Sequence, residues 1–298
     1  MSVKTKFSIK DLENLSGIKA HTIRIWEKRY TLLKPNRSDT NIRSYNLQSL
    51  MKLLNITYLY NAGYKISKIA KLDTEKINQL IQESGIDKNK ENFAITEMKI
   101  AMLNFDQHLF NNTYFALLES KTFKEVFFEI FIPLLHDIGL LWQTGTIDPS
   151  HERFISELIK QKLIVNIENV CYNETTKHDK LFVLYLPHDE IHEIGLLYLN
   201  YEIIKHGYKS VYLGNNIPIN SLLHLLNHHQ KIVFVSYFTV QPEKYLLNAY
   251  IEEAYKILCK DTENQFWMLG NQIQDEKNAI LPSGFKFVKK ISDFLLLI

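Results

Sequence analysis

The stretch His21-Thr-Ile-Arg-Ile-Trp-Glu-Lys-Arg-Tyr30 concentrates residue types able to hold nucleic acid. On a helix, Ile23, Trp26 and Tyr30 share one face at spacings of three and four and pack inward. Arg24 and Lys28 sit four apart on another face, with His21 and Thr22 at the helix start. A helix docked by its apolar side with its basic side free suits a major groove. Arg37 and Arg43 flank a turn-forming loop, Pro35-Asn-Arg-Ser-Asp-Thr-Asn41, which can serve as a wing reaching phosphates or a minor groove. On pattern alone, an ordinary amphipathic helix with a solvated basic face fits these residues equally well.

Other candidate chemistry is sparse. His224 and His228 have a spacing that on a helix can hold a metal, and a solvated face accounts for them too. Cys171 and Cys259 have no CxxC spacing, which points to idle thiols in a reducing compartment and no structural zinc. No Ser-His-Asp or metal-cluster spacing marks an independent active site, so the chain reads as a non-enzyme.

The elements that must carry these residues fall into three segments. The chain has 298 residues, enough for two or three domains, and its 46% hydrophobic content supports a real core. Residues 1–75 hold 14 Lys/Arg against 6 Asp/Glu, leaving 21 against 27 in the rest. A basic head on an acidic body is the asymmetry expected where one end meets phosphate. Apolar runs such as Leu181–Leu186 are too short to span a bilayer, and no apolar stretch follows the first residues, so no membrane partner or signal peptide is expected. That places the chain in the cytoplasm, associated with the nucleoid.

Residues 1–75 read as short helices: one capped by Ser8 and stopped by Gly17, one over 20–30, one from Leu47 to Ala62 stopped by Gly63, and one over 66–72. Residues 76–172 repeat apolar side chains at helical spacing (Ile95, Met98, Met102, Phe105, Leu109; then Phe127, Ile130, Phe131, Leu134, Leu135, Ile138) and read as a four-helix bundle. Pro133 starts or kinks a helix there. After a polar linker, Asn173–Lys180, the period changes over residues 179–298. Apolar runs at 181–187, 211–214, 232–238 and 266–270 alternate with helical stretches at 190–206, 218–229 and 242–259, followed by a short strand at 285–288 and a helix at 291–298. Strands alternating with helices imply a doubly wound parallel sheet. The fold class is therefore multidomain: an all-α winged helix-turn-helix, a four-helix bundle and an α/β doubly wound parallel sheet.

Residues 7–72 resemble the MerR family of regulators: a helix-turn-helix, then Thr22-Ile-Arg-Ile-Trp-Glu27, a Pro-Arg loop, Arg43-Ser-Tyr45 and a helix ending at Gly63. The variant Ile-Arg-Ile-Trp-Glu-Lys-Arg-Tyr is similar to the subgroup that carries a cobalamin-binding domain. The resemblance implies a dimer on a pseudo-palindromic promoter, with Thr22, Arg24 and Lys28 facing bases or phosphates and Arg37 and Arg43 serving the wing.

The other two segments are similar to the cobalamin-binding module of light-responsive carotenoid regulators and methionine synthase. Its signature after the first strand reads here Glu190-Ile-His192-Glu-Ile-Gly195. The carboxyl end of a parallel strand is where ligands meet such sheets. The resemblance makes His192 a cobalt ligand, Glu190 its orienting carboxylate, and Gly195 a point of close approach to the nucleotide tail. It adds Ser236 after the third strand and Gly270 after the fourth, with Trp142 and Glu152 over the upper corrin face. The chain departs from the pattern at Phe238, Asn271, Gln143 and Arg153; His151 lies beside Glu152 as a possible replacement ligand.

The expected function is sequence-specific DNA binding by a MerR-type transcriptional regulator whose cobalamin-binding-like domain serves effector binding or assembly. Its partners are promoter duplex and itself, as a homodimer or homotetramer, and its candidate cofactor is cobalamin, as adenosylcobalamin. Pigment or light-stress genes are the targets the resemblance implies. The alternatives are a corrinoid-carrying methyl-transfer subunit and a cofactor-free architectural DNA-binding protein.

Overall fold

The computed structural model describes residues 5–84, 90–171, 175–229, 231–273 and 281–298. The chain divides into two units, Met1–Leu158 and Ile159–Ile298.

In the first unit, Ser8 and Asp11 form a reciprocal capping box that starts α1 (Ile9–Ser16), and Gly17 ends it at φ 72°. α2 (Ala20–Tyr30) buries Ile23 and Trp26, and the Trp26 indole meets Tyr60 edge-on at 5.2 Å. Tyr60 belongs to α3 (Leu47–Asn61), capped by Asn46. Three short strands, β1 (Lys6–Phe7), β2 (Asn36–Arg37) and β3 (Arg43–Asn46), pair antiparallel in the order β1-β3-β2. The sequence shows only a loop there, because strands of two to four residues are too short to establish an alternating period. α4 (Ile66–Ile69) and α5 (Thr74–Ser84) follow.

The bundle comprises α6 (Lys90–Asn104), α7 (Gln107–Leu118), α8 (Phe123–Val126), α9 (Ile132–Gln143) and α10 (Pro149–Cys171). Between α8 and α9 the chain winds as a π-helix, Phe127–Phe131, in which Ile132 donates to the Phe127 carbonyl. Pro133, without an N–H, follows directly on this wider turn in a continuous helix, where the change of winding accommodates the missing donor. Phe110, Phe127, Ile130, Phe131 and Leu134 are fully enclosed.

The second unit is a five-stranded parallel sheet of order β5-β4-β6-β7-β8: β4 (Lys177–Tyr185), β5 (Tyr208–Gly214), β6 (Ile232–Tyr237), β7 (Gln265–Leu269) and β8 (Phe285–Phe287). β4 lies between β5 and β6, and its Leu181–Tyr185 half reads as an unbroken apolar run because both of its faces are covered. The chain winds outward to β5 and then returns to β6 on the other side of β4. The crevice at the carboxyl ends of β4 and β6 is thus the topological switch point, where open α/β sheets bind ligands.

The helices depart from the sequence reading where chemistry is at stake. The helix expected over 190–206 is α11 (Ile194–Lys205), so residues 186–193 form a loop on the crevice. The helix expected over 218–229 reduces to a 3-10 turn, Ile219–Leu222, and one α turn, α12 (Leu223–Leu226). His228 lies beyond it, so the His224/His228 pair loses the helical spacing that a metal needs. Among the described residues, no group of three or more His, Cys, Asp or Glu is placed to hold a metal ion. α13 (Leu247–Ala254) and α14 (Ile291–Leu295) complete the fold. The linker residues 172–174 lie outside the described residues, and Lys177–Lys180 already belong to β4.

Candidate functional site

The first site is built on α2. Its start has no side-chain cap of its own; instead the Glu13 carboxylate at the end of α1 accepts from the Ala20 N–H at 3.2 Å and pairs with Lys10 and Lys19. That carboxylate fixes the turn between the two helices. With Ile23 and Trp26 buried, His21, Arg24, Lys28 and Arg29 are exposed and Thr22 is half-buried. The basic face expected from the sequence is therefore outward and fixed to a docked helix.

The wing residues divide into two roles. Arg37 is exposed, its Nη1 donating to Asn41 Oδ1 across the turn. Arg43 is instead tied inward: its Nε donates to Glu27 Oε2 at 3.2 Å, while the Tyr45 hydroxyl donates to Glu27 Oε1. Burial, then the Glu27 hydrogen bond, raises the Tyr45 pKa well above the ordinary phenol value. Glu27, 8% exposed, thus holds the wing strand against the recognition helix. Sequence reasoning quoted Glu27 only as part of a motif; its spacing to Arg43 and Tyr45 carries no local periodic signal.

The second site lies at the switch point. Glu190, fully buried, is the centre of a nest of donors. Its Oε1 accepts from the N–H groups of Ile191 and His192 and sits 2.5 Å from His192 Nδ1. Its Oε2 accepts from the N–H groups of Thr239, Val240 and Gln241 at 2.7 to 3.0 Å. Burial alone would raise this carboxyl, but the hydrogen bonds from His192, Gln241 and Val240 bring it down to about 2. One carboxylate therefore fastens the loop after β4 to the loop after β6 and orients an imidazole that is half exposed. Ile191, Leu213 and Val240 are exposed around it, on the loops or strand ends of β4, β5 and β6. The next residue, Glu193, is held by Lys160 of α10 at 2.5 Å and by the Tyr212 hydroxyl at 2.8 Å.

The remaining expected site residues do not all face a ligand. Ser236 is buried and donates to the Tyr185 carbonyl at 2.8 Å. Gly270, at φ 110°, is required by packing: a Cβ there would lie 2.1 Å from the Phe238 carbonyl oxygen. Gly195 faces an aromatic ring, since a Cβ there would sit 2.9 Å from Tyr237 Cε2. Tyr237 carried no signal in the sequence reading, which weighed Phe238 and Asn271 instead.

Trp142 and Glu152 lie in the first unit. Trp142 is exposed, and Glu152 accepts from Ser156 Oγ at 3.0 Å. His151 packs inward. It is buried, its Nδ1 accepts from the Asp148 N–H at the start of α10, and its ring stacks on Phe105 at 4.8 Å.

The donor set at the switch point fits one end of a corrinoid. Nδ1 of His192 is engaged by a buried carboxylate, the arrangement that orients a metal-ligating imidazole, and the exposed Ile191 and Val240 lie beside it. The tail end does not fit, because the Tyr237 ring stands against Gly195.

A MerR-type helix-turn-helix and a domain of the B12-binding type together mark a DNA-binding transcriptional regulator. Residues 7–76 match the model of the MerR HTH family regulatory protein, and residues 94–165, which cover the bundle, match the B12 binding domain. The chain is homologous to the HTH-type transcriptional repressor CarH of Myxococcus xanthus, 27% identical over 214 residues that cover 70% of each chain. It is also homologous to the repressor CarA of that organism, 24% identical over 219 residues covering 72% of this chain and 70% of the other. Among solved structures, the monomethylamine corrinoid protein of Methanosarcina barkeri superposes with a TM-score of 0.58 at 12% identity, over 70% of this chain and 98% of that one. This likeness establishes the fold.

Proposed function

We propose that the chain regulates transcription by reading a promoter duplex with Thr22, Arg24 and Lys28 of α2, while Arg37 contacts phosphate from the wing and Arg43 positions it. The observation that carries this reading is the outward basic face of α2, braced to the wing through Glu27. A single such module contacts too few phosphates for firm promoter occupancy, and the chain acts as a homodimer or homotetramer over two half-sites one helical turn apart. It acts in the cytoplasm as a regulator and not as an enzyme. In support, no described helix is long and apolar enough to cross a membrane, and the curated relatives are repressors.

The effector site takes a corrinoid at the β4–β6 crevice. Bound there, the group would supply a cobalt ion that His192 would ligate. The chain's own contribution is to hold the imidazole through Glu190 and to tie the following residue to α10 through Glu193 and Lys160. The DNA-binding module speaks for a regulator over a methyl-carrying subunit of the same fold, and the contact of His192 with the buried Glu190 speaks against a cofactor-free architectural protein.

A mobility shift on the DNA upstream of the chain's own gene tests the DNA reading. Retardation at low salt is expected, and Arg24→Ala should weaken it by about 1–3 kcal/mol, roughly 5- to 150-fold. Absence of retardation by the unmodified protein defeats the proposal.

A further inference from the structure

We propose that Tyr237 fills the groove in which a nucleotide tail would run, so that this site prefers a corrinoid lacking its nucleotide loop over complete cobalamin. The inference rests on the corrinoid reading of His192.

Gly195 lies in the first turn of α11, facing the crevice beside the His192 loop. Its Cα is covered by the Tyr237 ring: three ring carbons would lie 2.9, 3.0 and 3.2 Å from a Cβ built there. Carbon atoms in contact stand about 3.5–4.0 Å apart, so a flat base inserted between two surfaces needs them about 7 Å apart. No such gap exists between Gly195 and Tyr237.

The backbone that carries the ring is held in place. Phe238 N–H donates to the Leu269 carbonyl at 2.7 Å, and Gln272 N–H donates to the Phe238 carbonyl at 3.2 Å. The Gln272 side chain donates to the Val240 carbonyl at 2.9 Å. These bonds sew the loop after β6 to the residues after β7, and Gly270 lies against the Phe238 backbone between them. Below, the space is occupied by side chains. Ser236 is bonded to the Tyr185 carbonyl, the Tyr185 and Tyr250 hydroxyls share a hydrogen bond of 2.8 Å, and Phe238 packs edge-on against Tyr250. The His192 side chain is by contrast half exposed, with exposed apolar Ile191 and Val240 nearby. The site is thus built for a cobalt ligand and a macrocycle but has no slot for a tail.

The test titrates the full-length protein with aquocobalamin and, separately, with aquocyanocobinamide, which has the macrocycle and no nucleotide loop. Binding is read from the shift of the corrin absorption bands and from retention after desalting. Tyr237→Ala should raise the affinity for aquocobalamin at least tenfold while changing that for aquocyanocobinamide less than threefold, and Tyr237→Phe should behave like the parent. The parent should favour aquocyanocobinamide at least tenfold. Equal affinity of the parent for both probes, or an equal gain for both in Tyr237→Ala, overturns the inference and leaves the corrinoid reading standing. Retention of neither probe by parent and variant removes that reading and the inference with it. The packing is checked without ligand by thermal unfolding: Gly195→Ala should lower Tm in the parent and leave it unchanged in Tyr237→Ala. Equal losses in both backgrounds show that the ring does not stand on Gly195.

Discussion

Glu190→Gln is the most informative single change in the sheet domain. Both carboxylate oxygens act only as acceptors, for three donors each. An amide keeps one oxygen and turns an NH2 group toward the other three donors. The magnitude follows from the depressed pKa. A fall from 4.5 to about 2 means that this fold favours the charged carboxylate over the neutral acid by roughly 3 kcal/mol, at 1.36 kcal/mol per pKa unit. A neutral glutamine forfeits about that amount. The sign with pH follows from a lowered native pKa. The stabilisation is complete above the unfolded value near 4.5 and is lost as pH falls toward about 2.

The two units need not unfold together, so the probe must report on the sheet alone. Trp267, buried in β7, serves once Trp26 and Trp142 are replaced by Phe. Urea unfolding at pH 7 should show Glu190→Gln less stable by about 3 kcal/mol. Between pH 4.5 and 2.5 the parent should lose most of that difference, and the variant should lack that acid limb. A variant within about 1 kcal/mol of its parent at pH 7, or one with the acid limb intact, refutes the account of the nest.

Two further changes probe the first unit. Glu27→Gln should loosen the wing and cost about 1–3 kcal/mol of stability, because Arg43 and Tyr45 lose a shared charged acceptor. In the same region, Arg37→Ala should lower the slope of log K against log salt by about one unit, as for a lost phosphate contact, whereas Arg43→Ala should weaken DNA binding with little change in slope; equal slopes for the two would contradict the division of roles. His151→Ala should lower the Tm of the first unit through loss of the Phe105 stack and the Asp148 contact, and leave any corrin spectrum of the loaded protein unaltered. A changed spectrum would restore His151 as a ligand.

Some of this protein was determined by its sequence alone. The recognition helix was legible because burial and exposure on a helix repeat every three to four residues, so Ile23 and Trp26 separate from Arg24 and Lys28 in the letters themselves. The parallel sheet was legible because strands covered on both faces are written as unbroken apolar runs, as at Leu181–Leu186. The Glu190–His192 pair could be placed because it follows directly on such a run. Tertiary structure decided the rest. Glu190 reaches Thr239, Val240 and Gln241 only because β6 returns beside β4, a consequence of strand order that no local pattern encodes. The same return brings Tyr237 onto Gly195, more than forty residues away in the chain, and turns an expected point of ligand approach into a filled one. Likewise Arg43, read as a wing contact, is drawn inward by Glu27, and His151 is drawn under Phe105. Periodicity records which face of an element is buried; it does not record which distant side chain arrives to cover it.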